Sequence, residues 1–191
     1  MSALFSSFTL KDVTLRNRIA VAPMCQYSAV DGLANDWHAV HYASLARGGA
    51  GLVIVEATGV SPEGRITPAC LGLWNGQQAA GLAKVAAAIK AGGAVPGIQI
   101  AHAGRKASAN RPFGANLPKV PKAMTLADIT RVREEFVAAA IRARDAGFEW
   151  LELHFAHGYL AQSFLSVHAN QRDDAYGGSI MGRCRFLLET L

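Results

Sequence analysis

Phe148-Glu149-Trp150-Leu151-Glu152-Leu153-His154-Phe155-Ala156-His157-Gly158-Tyr159-Leu160 decides the reading of this chain. Residues 148–154 are apolar enough to form a buried strand, yet two carboxylates and a histidine interrupt them. A second histidine, a glycine and a tyrosine follow at once. The segment just before, 125–146, has a helical pattern. Thr125 with Asp128 makes a capping box, Leu126, Ile129, Val132, Phe136 and Ala140 fall at helical spacing, and Gly147 stops the helix.

The same alternation extends back towards the start. Residues 9–18 alternate and turn at Lys11-Asp12, which predicts a small hairpin capping one end of the domain. A short strand at 19–22 stops at Pro23. A helix over 35–47 begins at Asn35 or Asp36 and ends at Gly48-Gly49. A strand over 51–58 has Leu-Val-Ile-Val at its centre, the composition of a strand buried on both faces. A helix over 77–91 carries Leu82, Val85 and Ile89 on one face, and a strand over 95–102 follows. After the 148–154 strand, Ser179 starts a last helix containing Phe186, Leu187 and Leu191.

Such alternation means right-handed βαβ units and a parallel sheet. No GxGxxG follows the first strand, which disfavours a doubly wound dinucleotide fold. Polar residues at the strand ends favour an α/β barrel of the TIM (β/α)8 type, whose chemistry sits on the loops after the strands. That barrel typically takes about 250 residues. The 191 residues here therefore read as one partial barrel, with about the first four βα units.

The bulk composition excludes some classes. No apolar run is long enough for a transmembrane helix, and the start lacks the basic and apolar regions of a signal peptide. The net charge of +5 is mild. Arg131, Arg133, Arg142 and Arg144 lie on one helix beside Glu134, Glu135 and Asp145, as on a solvated helix face rather than a nucleic-acid stripe. Cys25, Cys70 and Cys184 are odd in number and widely spaced, so no disulfide framework is expected and a reducing cytoplasm is the default.

In a parallel barrel the strand ends converge on one rim. After the first strand come Pro23-Met24-Cys25-Gln26-Tyr27, and after the second Glu56-Ala57-Thr58. The third carries Gln99 and runs into His102-Ala103-Gly104-Arg105-Lys106, and the fourth ends in His154, His157 and Tyr159. Three readings compete. His102, His154 and His157 are a candidate zinc set, as in a metal-dependent barrel hydrolase. The histidines are otherwise simply core residues with satisfied hydrogen bonds. In the third reading, two imidazoles donate to one substrate oxygen while Tyr159 acts as a general acid. That chemistry needs a hydride donor, which only a redox cofactor can supply. Tyr176-Gly177-Gly178-Ser179, ahead of a helix, reads as a structural turn or, alternatively, as a phosphate loop.

These motifs, in order, resemble the old yellow enzyme family of FMN-dependent ene-reductases, in particular the bacterial branch that includes the xenobiotic reductases. The resemblance rests on Asn17-Arg18, Ala22 to Tyr27, Gly48 to Leu52, Glu56-Ala57-Thr58, Gln99 to Arg105, Glu152-Leu153-His154, His157 to Leu160, and Asn170 through Arg172 to Tyr176–Ser179. It covers nearly the whole chain. It implies that Pro23, Met24 and Ala57 lie against the flavin ring, that Cys25 approaches its N5 edge, and that Gln99 bonds its pyrimidine edge. It also implies that His154 and His157 bind the substrate oxygen, that Tyr159 protonates the neighbouring carbon, and that Tyr27 lines the pocket. The implied reaction passes hydride from NAD(P)H through FMN to an activated alkene or a nitro compound.

Relatives of this family continue for four more units, which hold an arginine facing the flavin and the loops that grip the FMN phosphate. The segment from Arg111-Pro112 to Pro121 also reads as shorter than the loop the family carries there. A half barrel exposes two parallel strand edges, which invite pairing. The expectation is therefore that the chain alone either misfolds or pairs as a homo-oligomer that closes a barrel from two halves, with FMN held weakly or not at all. The alternative is an inactive truncated fragment with intact site residues.

Overall fold

A computed structural model describes residues 2–108 and 121–191. The shortened loop read between Arg111 and Pro121 lies almost wholly outside the described residues. β1 (Phe8–Leu10) and β2 (Val13–Leu15) form an antiparallel hairpin, with Lys11 taking a left-handed φ of 50° at the turn. Four parallel strands follow in sequence order: β3 (Ala20–Val21), β4 (Leu52–Gly59), β5 (Val95–Ala101) and β6 (Trp150–Leu153). Between and after them lie α1 (Asp36–Arg47), α2 (Gly76–Ala91), α3 (Leu126–Asp145), α4 (Leu160–Leu165) and α5 (Ile180–Thr190). Parallel neighbours joined through helices are consecutive staves of an α/β barrel.

Each long helix starts on a side-chain cap. Asn35, Asn75 and Thr125 each complete a capping box, and Ser179 accepts the Gly182 N–H. The burial pattern then separates two cores by the period-two alternation of β4. Val53 and Val55 face the helices, where they join Leu82, Ile89, Ile129, Val132, Phe136 and Phe186. Leu52 and Ile54 face the other way and pack with Leu15, Phe8, Val13, Val95 and Trp150. Leu52, Val95 and Trp150 are the first residues of their strands, so the hairpin closes the N-terminal end of the sheet and leaves the C-terminal end open.

Several expectations need correction. β6 is shorter than 148–154 and is not buried along its length; Leu151 is exposed, because the described sheet ends at this strand. Leu126, expected on the apolar face of α3, is 55% exposed at the first turn, before the helix reaches the core. Leu191 follows α5 and is exposed as well. α4 is not foreshadowed, since six residues are too few to show a helical period. Tyr176–Ser179 is a turn rather than a phosphate cradle: Gly177 N bonds Asp174 O, a Cβ on Gly177 would strike the Arg172 carbonyl, and Ser179 caps α5. The arginines of α3 are engaged at the surface, Arg131 with Glu63 and Glu135 and Arg133 with Glu189. Among the described residues no helix is long and apolar enough to cross a membrane.

Candidate functional site

The open end of the sheet is shaped by an irregularity in β4. Val55 pairs with Ile98 and Thr58 with Ile100, so Glu56 and Ala57 together oppose the single residue Gln99. This is a β-bulge, the device by which strands re-aim side chains near sites. Glu56-Ala57-Thr58 lies inside β4, within the 51–58 strand read from the sequence. Gln99 Nε2 donates to Glu152 Oε1 at 2.6 Å, which fastens β5 to β6 at the same level.

The loop after β3 lies against the bulge. Gln26 N donates to Glu56 Oε2 at 2.8 Å, and Tyr42 Oη donates to Glu56 Oε1 at 3.1 Å. Tyr27 follows with φ of 51° and is 51% exposed, and Met24 is exposed as well. Pro23 and Cys25 are half-buried and Ala57 is buried. The Cys25 thiol is pushed up chiefly by a hydrogen bond shared with Cys70 and then by burial, so it keeps its proton, while the same bond draws Cys70 down to about 6. All three cysteines are free.

The end of β6 brings His154, His157 and Tyr159 together. His154 is buried, and its main-chain N–H extends the ladder to Ile100 O at 3.0 Å. Its Nδ1 accepts from Ala156 N at 3.4 Å, which assigns the proton to Nε2. His157 takes φ of 57° and is exposed; the turn brings its Nδ1 within 3.4 Å of His154 Nε2. The Tyr159 ring stands edge-on to His154 with centroids 4.9 Å apart. Lys106 Nζ donates to His157 O at 2.6 Å and lies 5.4 Å over the Tyr159 ring.

Burial, followed by the neighbouring His157, holds the His154 imidazole below its usual range, so it is neutral near pH 7. Burial also raises Tyr159, with Cys25 and Cys70 adding to the effect. Tyr27 is raised first by Cys25 and also by Tyr159. Cys25 and Tyr27 therefore lie near Tyr159, which is far from them in sequence.

The structure does not bring His102 into this group. His102 Nδ1 accepts from Gly104 N at 3.0 Å, its ring packs on Gly64, and burial lowers its pKa to about 4. Among the described residues no three His, Cys, Asp or Glu side chains assemble as a metal site. Sequence reading gave no role to Glu56, Tyr42, Lys106 or Cys70. Glu56 carried a signal: a carboxylate inside Leu-Val-Ile-Val-Glu-Ala-Thr requires a buried partner.

A family model described as NADH:flavin oxidoreductase / NADH oxidase family matches residues 3–191. The chain belongs to this family. It is 48% identical to an NADPH dehydrogenase of Bacillus velezensis, over 98% of this chain and 58% of that protein. It is 47% identical to an NADPH dehydrogenase of Halalkalibacterium halodurans, again over 98% of the chain and 58% of the relative. Solved family structures superpose closely. The old yellow enzyme homologue from Zymomonas mobilis gives a TM-score of 0.91 at 30% identity, over 99% of this chain and 58% of that one. Morphinone reductase in complex with tetrahydroNAD gives 0.90 at 31% identity, over 100% and 59%. The chain thus spans somewhat under three-fifths of these relatives, and its fold is the matching part of their barrel.

Proposed function

We propose that this chain carries the substrate-facing rim of an FMN-dependent oxidoreductase that passes hydride from NAD(P)H to activated alkenes, α,β-unsaturated carbonyls above all, or to nitro compounds. The observation that supports this best is the cluster of His154, His157 and Tyr159 in one space with Cys25 and Tyr27, beside a bulge that opposes Gln99.

The residues present fit a flavin ring. The Gln99 amide nitrogen is committed to Glu152, which leaves the carboxamide oxygen to accept from a ring N–H. Pro23, Met24 and Ala57 offer backbone and apolar surface on the same rim, and Cys25 offers a neutral thiol. Bound FMN would supply the hydride transfer, which no side chain can.

The chain's own residues do the rest. His154 Nε2–H, held only by a 3.4 Å contact to His157, is free to turn to a substrate oxygen. His157 joins it as the second donor. Fixed donors of this kind, aimed at developing negative charge, are worth roughly 3 kcal/mol each. Tyr159 keeps its proton until the carbon beside the polarised group takes it. Tyr27 forms the facing wall. Free thiols at positions 25, 70 and 184 support a cytoplasmic location, and assembly as a homo-oligomer is expected.

The test is to incubate the purified chain with FMN, desalt it, and record the visible spectrum. A retained flavin band, bleached by NADPH and restored by cyclohexenone, supports the proposal. A colourless protein overturns it.

A further inference from the structure

Glu56 has no part in the mechanism above, yet it is the one fully buried carboxylate among the described residues. It sits on the bulge, and its two oxygens serve different elements. Oε1 takes the Tyr42 hydroxyl at 3.1 Å from α1, and Tyr42 Oη in turn accepts Glu56 N at 3.0 Å. Oε2 takes the main-chain N–H of Gln26 at 2.8 Å. The Gln26 amide belongs to the loop that holds Cys25 and Tyr27, and Tyr27 is left-handed. A non-glycine residue in that conformation persists only where its surroundings hold it there.

The groups facing Glu56 can be named element by element. From α1 come Tyr42 and His38, whose Nε2 lies 3.7 Å from Oε1. Asn35 N donates to His38 Nδ1, so Nε2 carries a proton that is aimed at Glu56 without a hydrogen-bond partner. Burial keeps His38 neutral. From the β3 loop comes Cys25, and from the segment after β4 comes Cys70. Among the described residues no lysine or arginine pairs with Glu56. Its carboxylate oxygens are served by the Tyr42 hydroxyl and by one amide of the loop, that of Gln26.

We propose that Glu56 is the positioning residue of this loop: its carboxylate fixes the turn at Tyr27 and thereby sets how Cys25 and Tyr27 stand at the site. The functional part rests on the flavin reading above; the anchoring does not. Burial raises the Glu56 carboxyl to about 7, against the pull of Gln26 and Tyr42. Protonation near neutral pH replaces an anionic acceptor with a weaker one and slackens the hold on the Gln26 amide.

The experiment is 15N NMR of the full chain without flavin, from pH 5 to 9, on the parent, Glu56→Gln and Glu56→Ala. In the parent the Gln26 amide shift titrates with a midpoint near 7. In Glu56→Gln, which keeps one acceptor oxygen and loses the charge, the titration disappears while the amide stays protected. In Glu56→Ala, Gln26 and Tyr27 exchange about tenfold faster or more, with the Ile98 and Leu82 signals unmoved. A Gln26 shift that is flat in the parent overturns the proposal, as does equal exchange in the parent and in a folded Glu56→Ala. If Glu56→Ala does not fold, the contrast between parent and Glu56→Gln decides alone. None of these readouts needs bound FMN, so a chain that stays colourless refutes the flavin reading and leaves Glu56 to be judged on its own.

Discussion

Phe186→Ala tests how the site is braced from behind. Phe186 on α5 is fully buried and stacks on Phe164 of α4, with centroids 4.6 Å apart and planes within 10°. α4 begins directly after Tyr159, so this stack fixes the helix that carries the proposed acid. Emptying a buried phenylalanine site costs about 3–5 kcal/mol. The total stability of a domain is only about 5–15 kcal/mol. With a urea slope of about 2 kcal/mol/M, the midpoint falls by about 2 M. Urea titrations followed by far-ultraviolet circular dichroism, parent against variant, read this directly. The Tyr159 signals should broaden at urea concentrations where β4 and β5 still hold. A midpoint drop below about 0.5 M at unchanged slope would mean that α5 is not docked on α4 as described, and the bracing of Tyr159 would have to come from elsewhere.

Further outcomes are expected. Tyr159→Phe should slow transfer to an enone by about 10²–10⁴-fold while leaving reduction of FMN by NADPH unchanged, measured by stopped flow; equal loss in both half-reactions would remove Tyr159 as the acid. Glu56 binds its proton more tightly folded than unfolded, so its stabilising contribution is complete below about 4.5 and is lost as pH rises through about 7. The gap corresponds to about 3 kcal/mol. Stability of the parent relative to Glu56→Gln should therefore fall across that window, and a rise would reverse the assignment. Lys106→Met removes the bond to His157 O, so residues 156–159 should exchange faster while global stability moves by less than about 1 kcal/mol.

The scaffold was legible because its signals are local. Asn35, Thr125 and Ser179 cap the helices the pattern drew there, and Leu82, Val85 and Ile89 are buried as their spacing required. The site was legible as residue types at strand ends, since a rim gathers whatever the strands deliver. Two things were not legible. His102 looked equivalent to His154 in sequence, but only the tertiary setting shows it turned to Gly64 and Gly104. The bulge was invisible because it is defined by its partner strand: nothing in Glu56-Ala57 says that both will face Gln99 alone.

That bulge gives β4 an arithmetic of its own. A strand is a period-two signal, and the extra residue between Val55 and Thr58 is a half-cycle phase shift written into it. Upstream, Leu52 to Val55 keep their assigned faces whatever happens beyond. Downstream, every side chain takes the parity that the inserted residue sets. Deleting either Glu56 or Ala57 would thus do more than remove a side chain. It would return the ladder to plain alternation, with Thr58 still opposite Ile100 but a single residue opposite Gln99, and the bulge would be gone with no atom of His154, His157 or Tyr159 altered. Residue number at this point is as much a part of the site as residue identity.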